Sequence, residues 1–194
     1  RPFNLATVLC GSEGTLAIIR RATLALVPSP AATALAILAF RDIAEACDFA
    51  PQALASRPSA VELVPRSILE HAREVPGYSR RLGFVEGDPG ALLVIEYCGD
   101  TQAEALAGCA RWHNGRVLES PQAQADVWAV RTAGLGLLML SPGDAKPIPF
   151  VEDVAVPPEF LGDYVRRVER ILAEHGTRGE WYAHASAGCL HLRP

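Results

Sequence analysis

Twice along this chain an apolar, strand-like run leads directly into a helix capping box, and that repeated unit limits the architectures open to the sequence. Ala34 to Phe40 reads as a strand, and Asp42 with Glu45 stands in capping-box spacing before Ile43, Ala46, Cys47 and Ala50, which line one helix face. Ala91 to Cys98 reads as a second strand, and Thr101 with Glu104 precedes a helix carrying Ala103, Leu106, Ala107 and Ala110 on one side. Ala60 to Val64 adds a strand between the two units and Gly115 to Leu118 a short one after them. Residues 65–90, broken by Pro76-Gly77 and Gly87-Asp88-Pro89-Gly90, read as an irregular excursion with one short helical piece.

Ser120-Pro121 opens a further helix, because proline suits the first helical position; Val127, Val130, Gly134, Leu135 and Leu138 mark its buried face, and Pro142-Gly143 ends it. Pro149 to Val156 reads as extended. Pro157-Pro158-Glu159 then introduces the clearest helix of the chain, with Leu161, Tyr164, Val165, Val168, Ile171 and Leu172 on one side and Gly176 as its stop. Glu180 to Ala183 gives a last strand that runs into His184 to His191. The order is βαβ, βαβ and a further βα-β, so the expected class is α+β: a ferredoxin-like antiparallel sheet with helices on one face.

Residues 5–10 and 15–27 are apolar and β-branched and flank Gly11-Ser12-Glu13-Gly14, which reads as two strands joined by a glycine turn. Pro28-Ser29-Pro30 breaks the pattern, and the composition then shifts to alanine and leucine. A domain boundary is expected there, dividing the chain into 1–29 and 30–194. The sequence begins on strand-like residues and stops at His191-Leu192-Arg193-Pro194 without a terminal helix, so a piece of a longer protein is expected.

Of the 194 residues 49% are hydrophobic and 21% charged, which fits a globular chain and argues against disorder. The net charge of −4 is small and scattered, giving no grip on nucleic acid or an anionic membrane; a small molecule is the expected partner. No apolar run approaches the ~20 residues of a membrane-spanning helix, and the first residues lack the pattern of a secretory leader. A cytoplasmic location follows, with peripheral membrane association left open. Cys10, Cys47, Cys98, Cys109 and Cys189 are odd in number, widely spread and without a CxxC pair, so they are expected to be mostly buried, reduced thiols.

Three groups of residues could carry chemistry. The small residues of Gly11-Ser12-Glu13-Gly14-Thr15 let a ligand approach the backbone and its amide donors, although a plain hairpin looks the same. His184 and His191 would point to opposite faces of an unbroken strand. A turn at Ser186-Ala187-Gly188 would let them converge on a shared divalent metal, while the plainer alternative has one in the core and one on the surface. Arg131 shares a helix face with apolar residues and needs a partner, either as a snorkelling core-edge arginine or as a bidentate clamp on a substrate carboxylate. One of Glu152 and Asp153 could orient the histidines from outside. Lys146 and His175 read as solvent-exposed and receive no role.

Read with its flanks, Leu9-Cys10-Gly11-Ser12-Glu13-Gly14-Thr15-Leu16-Ala17-Ile18-Ile19 resembles the end of a flavin-binding domain of the vanillyl-alcohol oxidase type. The resemblance implies FAD as cofactor, gives Gly11, Ser12, Glu13, Gly14 and Thr15 a cofactor-contacting role, and makes residues 1–29 the last strands of that domain. The stretch His184-Ala185-Ser186-Ala187-Gly188-Cys189-Leu190-His191 resembles the His-Ala-Gly-Asp-Gly-Asn-Leu-His signature in the cap of glycolate oxidase, D-lactate dehydrogenase and D-2-hydroxyglutarate dehydrogenase relatives. That likeness implies a divalent metal, with zinc as a candidate, on His184 and His191, a further acidic ligand beyond Pro194, and Arg131 as the carboxylate anchor after Val127-Trp128-Ala129-Val130. Ser186-Ala187 and Cys189 depart from the common motif and look closer to the large members fused to an iron–sulfur region, whose cluster would lie outside this chain.

The expected activity is oxidation of a D-2-hydroxyacid by hydride transfer to FAD with metal assistance, a histidine of the motif serving as base, and the 194 residues alone are expected to be inactive. The electron acceptor and the particular acid are not specified by these residues. Two alternatives stand beside this: a non-catalytic ferredoxin-like binding or regulatory module with structural histidines, and a metal-dependent hydrolase, which would need a third ligand within the chain.

Overall fold

In the computed structural model of the chain, residues 3–140, 146–148, 150–151 and 153–194 are described. The elements are α1 (Leu5–Leu9), β1 (Ala32–Phe40), α2 (Ile43–Ala55), β2 (Ala60–Pro65), α3 (Arg66–Glu74), α4 (Pro76–Ser79), β3 (Ala91–Gly99), α5 (Gln102–Cys109), β4 (Arg116–Leu118), α6 (Pro121–Thr132), α7 (Gly134–Leu138), β5 (Asp153–Ala155), α8 (Leu161–Glu174), β6 (Glu180–His184) and β7 (Cys189–Arg193). Single 3₁₀ turns lie at Leu82–Phe84, Pro158–Phe160 and Ala185–Ala187.

Both capping boxes set helix starts. Thr101 accepts from the Glu104 amide and Glu104 reaches back to the Thr101 amide. Asp42 accepts from the Glu45 amide at 2.8 Å, while Glu45 takes the amide of Arg41. The Asp42 carboxyl is held below its ordinary pKa, chiefly by that backbone hydrogen bond. Its contribution is therefore complete above the usual carboxylate range and lost as pH falls through the depressed value. Replacing Asp42 by alanine is expected to destabilise the chain by about 1 kcal/mol at neutral pH. In denaturant titrations the gap to wild type should close in acid; a gap that stays constant from neutral to acid would show that the carboxylate is not the cap.

All strand pairs are antiparallel, in the order β4-β1-β3-β2-β6-β7-β5. The first four strands with α2 and α5 make the βαββαβ unit of a ferredoxin-like fold, and β6, β7 and β5 extend the same sheet beyond β2. The α+β class and the antiparallel sheet are as the sequence predicts.

Helices cover both faces of this sheet rather than one. Ala34, Ala36 and Leu38 of β1 and Leu93 and Ile95 of β3 lie in one core with Ala46 and Cys47 of α2, Ala105 of α5 and Leu161 and Val165 of α8. Leu35, Ile37, Leu92 and Val94 point the other way, into a second core with Ile68 and Leu69 of α3, Val127 and Val130 of α6 and Leu137 and Leu138 of α7. The sign is in the strands themselves. Ala34 to Leu38 is apolar at every position, which a strand with one wet face would not be, and each such Leu or Ile buried adds about 1.5–3 kcal/mol.

The N-terminal expectation is corrected. Residues 5–9 form α1, capped by Asn4 through the Ala6 amide, and residues 15–27 form no strand. A strand needs a neighbour for its amides and carbonyls, and no described strand pairs with this segment; Leu16, Ile18, Leu24, Leu26 and Val27 are exposed. The helix from Pro121 divides at Ala133 and leaves Leu135 exposed, and Ile171 is likewise exposed. Pro142, Gly143, Pro149 and Glu152 lie outside the described residues. Of the cysteines only Cys47 and Cys109 are buried; Cys10 sits in the exposed N-terminal segment and Cys98 near the end of β3. Burial pushes the Cys47 thiol up to about 12 and the Cys109 thiol up to about 11, which makes both inert at neutral pH. Among the described residues, no helix is long and apolar enough to cross a membrane.

Candidate active site

Side chains alternate across a strand, so Glu180, Tyr182 and His184 of β6 share a face with Cys189, His191 and Arg193 of β7. This is the face that α3, α6 and α7 cover, and the register brings a row of polar groups together on it. Glu62 of β2 lies opposite His184, His184 opposite Cys189, and His191 between Tyr182 on one side and Asp153 of β5 on the other.

The chain reverses between the histidines through the 3₁₀ turn at Ala185–Ala187 and Gly188, whose φ is +67°. Only glycine fits there, because a Cβ would lie 2.0 Å from the carbonyl oxygen of Val156. The turn leaves the two imidazole rings edge to face with centroids 5.2 Å apart.

Each imidazole is held by a carboxylate at the same nitrogen. His184 Nδ1 lies 2.8 and 3.0 Å from the two oxygens of Glu62, and His191 Nδ1 lies 2.5 Å from Asp153 Oδ1. An ionised carboxylate only accepts, so Nδ1 carries the hydrogen in both rings and Nε2 faces away from the carboxylate. His191 is buried, and its Nε2 has no hydrogen-bond partner among the described residues. Burial lowers the pKa of His191, opposed by the hydrogen bond and charge of Asp153, which raise it. The imidazole is therefore neutral at pH 7. His184 is the accessible member, with its side chain 49% exposed.

Behind His184 the array continues inward. Glu62 Oε2 is 2.8 Å from Arg131 Nη2, and both side chains are almost fully buried. The same Nη2 donates to the Ala183 carbonyl at 3.2 Å, and the guanidinium lies 5.3 Å from the centre of the Tyr182 ring. Tyr182 in turn stacks on His191 at 4.4 Å, and its hydroxyl accepts from Arg193 Nη2 at 3.4 Å. Arg131 is thus engaged by an internal carboxylate through one of its nitrogens. Next along the face, Glu180 and Arg193 line a cavity of about 430 Å³ together with Lys146, Thr177 and Arg178.

The donor set fits a divalent metal: two imidazoles, each fixed at Nδ1 by an outer carboxylate so that Nε2 is the atom it offers, is the arrangement that orients histidine ligands. Atoms of Asp153, Cys189 and His191 also lie within 4.8 Å of one another. The Cys189 thiol is pushed above its ordinary pKa by burial and by the charges of Asp153 and Glu62.

The structure therefore joins Arg131 and His184 through Glu62, a residue that sequence reasoning passed over, and His191 adjoins them through the His184 and Tyr182 rings. The signal for Glu62 was a single charge inside the apolar run Val61 to Val64. Asp153, of the acidic pair, is the one on His191. Lys146 and His175 are exposed.

The turn Gly11 to Thr15 is not tied to this array by any hydrogen bond among the described residues. Thr15 closes it locally through its amide and hydroxyl on the Ser12 carbonyl. Gly11 and Gly14 have φ of +77° and +79°, and no atom lies within 4 Å of where a Cβ would stand on either. The turn is open at both glycines.

The family model described as FAD linked oxidases, C-terminal domain, matches residues 29–194. The chain is 31% identical over 208 residues to D-2-hydroxyglutarate dehydrogenase of Pseudomonas putida and 33% identical over 214 residues to that of Escherichia coli. It is 29% identical over 199 residues to D-lactate dehydrogenase of Archaeoglobus fulgidus. Each match covers 99% of this chain, but 21%, 21% and 42% of the respective relative. The chain thus spans about a fifth of the length of the D-2-hydroxyglutarate dehydrogenases it matches.

Proposed function

This chain belongs to the family of FAD linked oxidase C-terminal domains, and on that premise we propose that it forms the substrate-binding part of a cytoplasmic flavin-dependent dehydrogenase acting on a D-2-hydroxyacid. Residues 30–194 are the cap over the substrate, and residues 1–29 belong with the flavin-binding domain. Gly11, Ser12, Glu13, Gly14 and Thr15 contact FAD in this reading, which the open space at Gly11 and Gly14 supports. FAD, when bound, supplies the hydride acceptor.

The observation that carries the proposal is the matched pairing of His184 with Glu62 and His191 with Asp153, which leaves two Nε2 lone pairs for one divalent metal. Such a metal supplies a Lewis acid that lowers the pKa of the substrate hydroxyl. Glu62 and Asp153 fix the ring orientations. Arg131 anchors the substrate carboxylate with guanidinium donors other than Nη2, while Nη2 holds Glu62 in place. The adjoining cavity, lined among the described residues by Lys146, Thr177, Arg178, Glu180 and Arg193, takes the remainder of the substrate in this reading. One lone pair cannot both bind a metal and take a proton. His184, the exposed ring, is the base candidate only where it is not a ligand.

The test is turnover of D- and L-2-hydroxyacids by the full-length protein with an artificial electron acceptor, with and without chelator. Oxidation confined to D-acids, lost on chelation and restored by a divalent metal, is expected. Inactivity toward every acid would overturn the reading; activity indifferent to chelation would overturn its metal component alone.

A further inference from the structure

We infer that the cavity where β4 leaves β1 binds a small aromatic carboxylate, a single ring carrying a short acidic arm. It stands at the other edge of the sheet from the histidine array, with β3 and β2 between it and β6.

The cavity measures about 320 Å³, and small-molecule sites run from about 300 to 1,000 Å³. Phe40, Phe49 and Trp112 form its wall, and they belong to the core on the α2 and α5 face, opposite the face that carries His184 and His191. The Phe40 and Phe49 ring centroids are 5.3 Å apart at 50°, and those of Phe49 and Trp112 5.4 Å apart at 63°. A further ring joins such a set edge to face or offset. Trp112 is fixed by its indole N–H, which donates to the Tyr97 hydroxyl at 2.8 Å.

The backbone of β1 supplies a donor and an acceptor. Alternate residues of an antiparallel strand turn their amide and carbonyl to opposite neighbours. The Phe40 carbonyl accepts from Gly90 on the β3 side, so Ala39 turns its N–H and C=O toward the β4 side. There β4 reaches only as far as Ile37. Beyond the other end of β4 the equivalent carbonyl, of Thr33, is taken by the side-chain amides of Gln102 and Gln124. Ala39 has no such partner among the described residues, and it lines the cavity.

Charge selects the ligand. Arg111 and His113 stand on the rim with Gln52 and Asn114, and no carboxylate lines the cavity among the described residues. The Arg111 side chain forms no ion pair or hydrogen bond there. An acidic arm therefore meets the guanidinium, whose fork suits a carboxylate, and the Ala39 N–H, whereas a cationic arm would face Arg111 with no acid to offset it.

Equilibrium dialysis of the full-length protein with labelled phenylacetate, which lacks the 2-hydroxyl of a substrate, reads this site without turnover. Saturable binding is expected, unchanged by excess D-lactate or D-2-hydroxyglutarate, with phenylacetamide and acetate each about tenfold weaker or worse. Arg111→Gln and Gln52→Glu, both at exposed positions, should weaken phenylacetate about tenfold or more with the far-ultraviolet circular dichroism unchanged. Displacement by the hydroxyacids, or affinity indifferent to both variants, would place phenylacetate elsewhere and overturn the site, as would no binding at millimolar ligand. Self-association in sedimentation that Gln52→Glu weakens would give the β1 edge to a second copy of the chain and overturn it too.

Discussion

Replacing Arg131 by methionine should lower the stability of this chain by about 3–5 kcal/mol, because it strands a carboxylate that has almost no access to water. Glu62 and Arg131 keep only 11% and 10% of their side-chain surface exposed, so the single variant leaves one charge to be solvated by His184 alone. The pair itself is not expected to be a large net source of stability, since two charges had to leave water to form it. A double variant, Arg131→Met with Glu62→Leu, should therefore regain much of the loss. Denaturant midpoints of the two single and the double variants, at unchanged m, give the coupling. A single Arg131→Met that costs under about 1 kcal/mol would show the pair to be hydrated. The double variant does not isolate the carboxylate anchor, because Glu62→Leu also frees the His184 ring; Arg131→Lys, which keeps the charge beside Glu62 but loses the guanidinium fork, does, and a raised KM for the hydroxyacid is expected of it if Arg131 anchors the carboxylate.

The difference between what was legible in the sequence and what was not follows from the range of the interactions involved. Asp42, Glu45, Thr101 and Glu104 act on amides within four residues, so their helices could be read directly, and the strands between them with little error. The second helical layer could not be read the same way. It depends on where α3, α6 and α7 go after their own caps, and the only local sign was that β1 lacks a polar face. Residues 15–27 show the converse: a β-branched apolar run is a strand only where another strand accepts its hydrogen bonds. In the site, the histidines stood out through their spacing and motif, whereas Glu62 lies 122 residues from His184 and 69 from Arg131. No local pattern joins those three; the β2–β6 register sets Glu62 against His184, and the packing of α6 brings Arg131 to Glu62.

Removing His191 tests the site at its least replaceable position. His191→Ala takes away a buried ring stacked on Tyr182, and if that ring holds the proposed metal, the loss of several kcal/mol of charge stabilisation corresponds to a fall in kcat/KM of about 10²–10⁴-fold. Asp153→Ala should cost less, about 10–100-fold in metal affinity, since it loosens the ring without removing its lone pair. The pH dependence separates orientation from proton competition. Asp153 raises the His191 pKa while burial lowers it, so deleting the carboxylate shifts that pKa further down and makes Nε2 easier, not harder, to keep unprotonated. If protonation alone governed the site, Asp153→Ala would hold metal to lower pH than wild type. Weaker binding at every pH, with its acid limb moved downward, is the outcome expected when the carboxylate acts by orienting the ring. Metal titrations of both variants between neutral and mildly acid pH decide it; binding by Asp153→Ala as tight as wild type at neutral pH would remove Asp153 from the site.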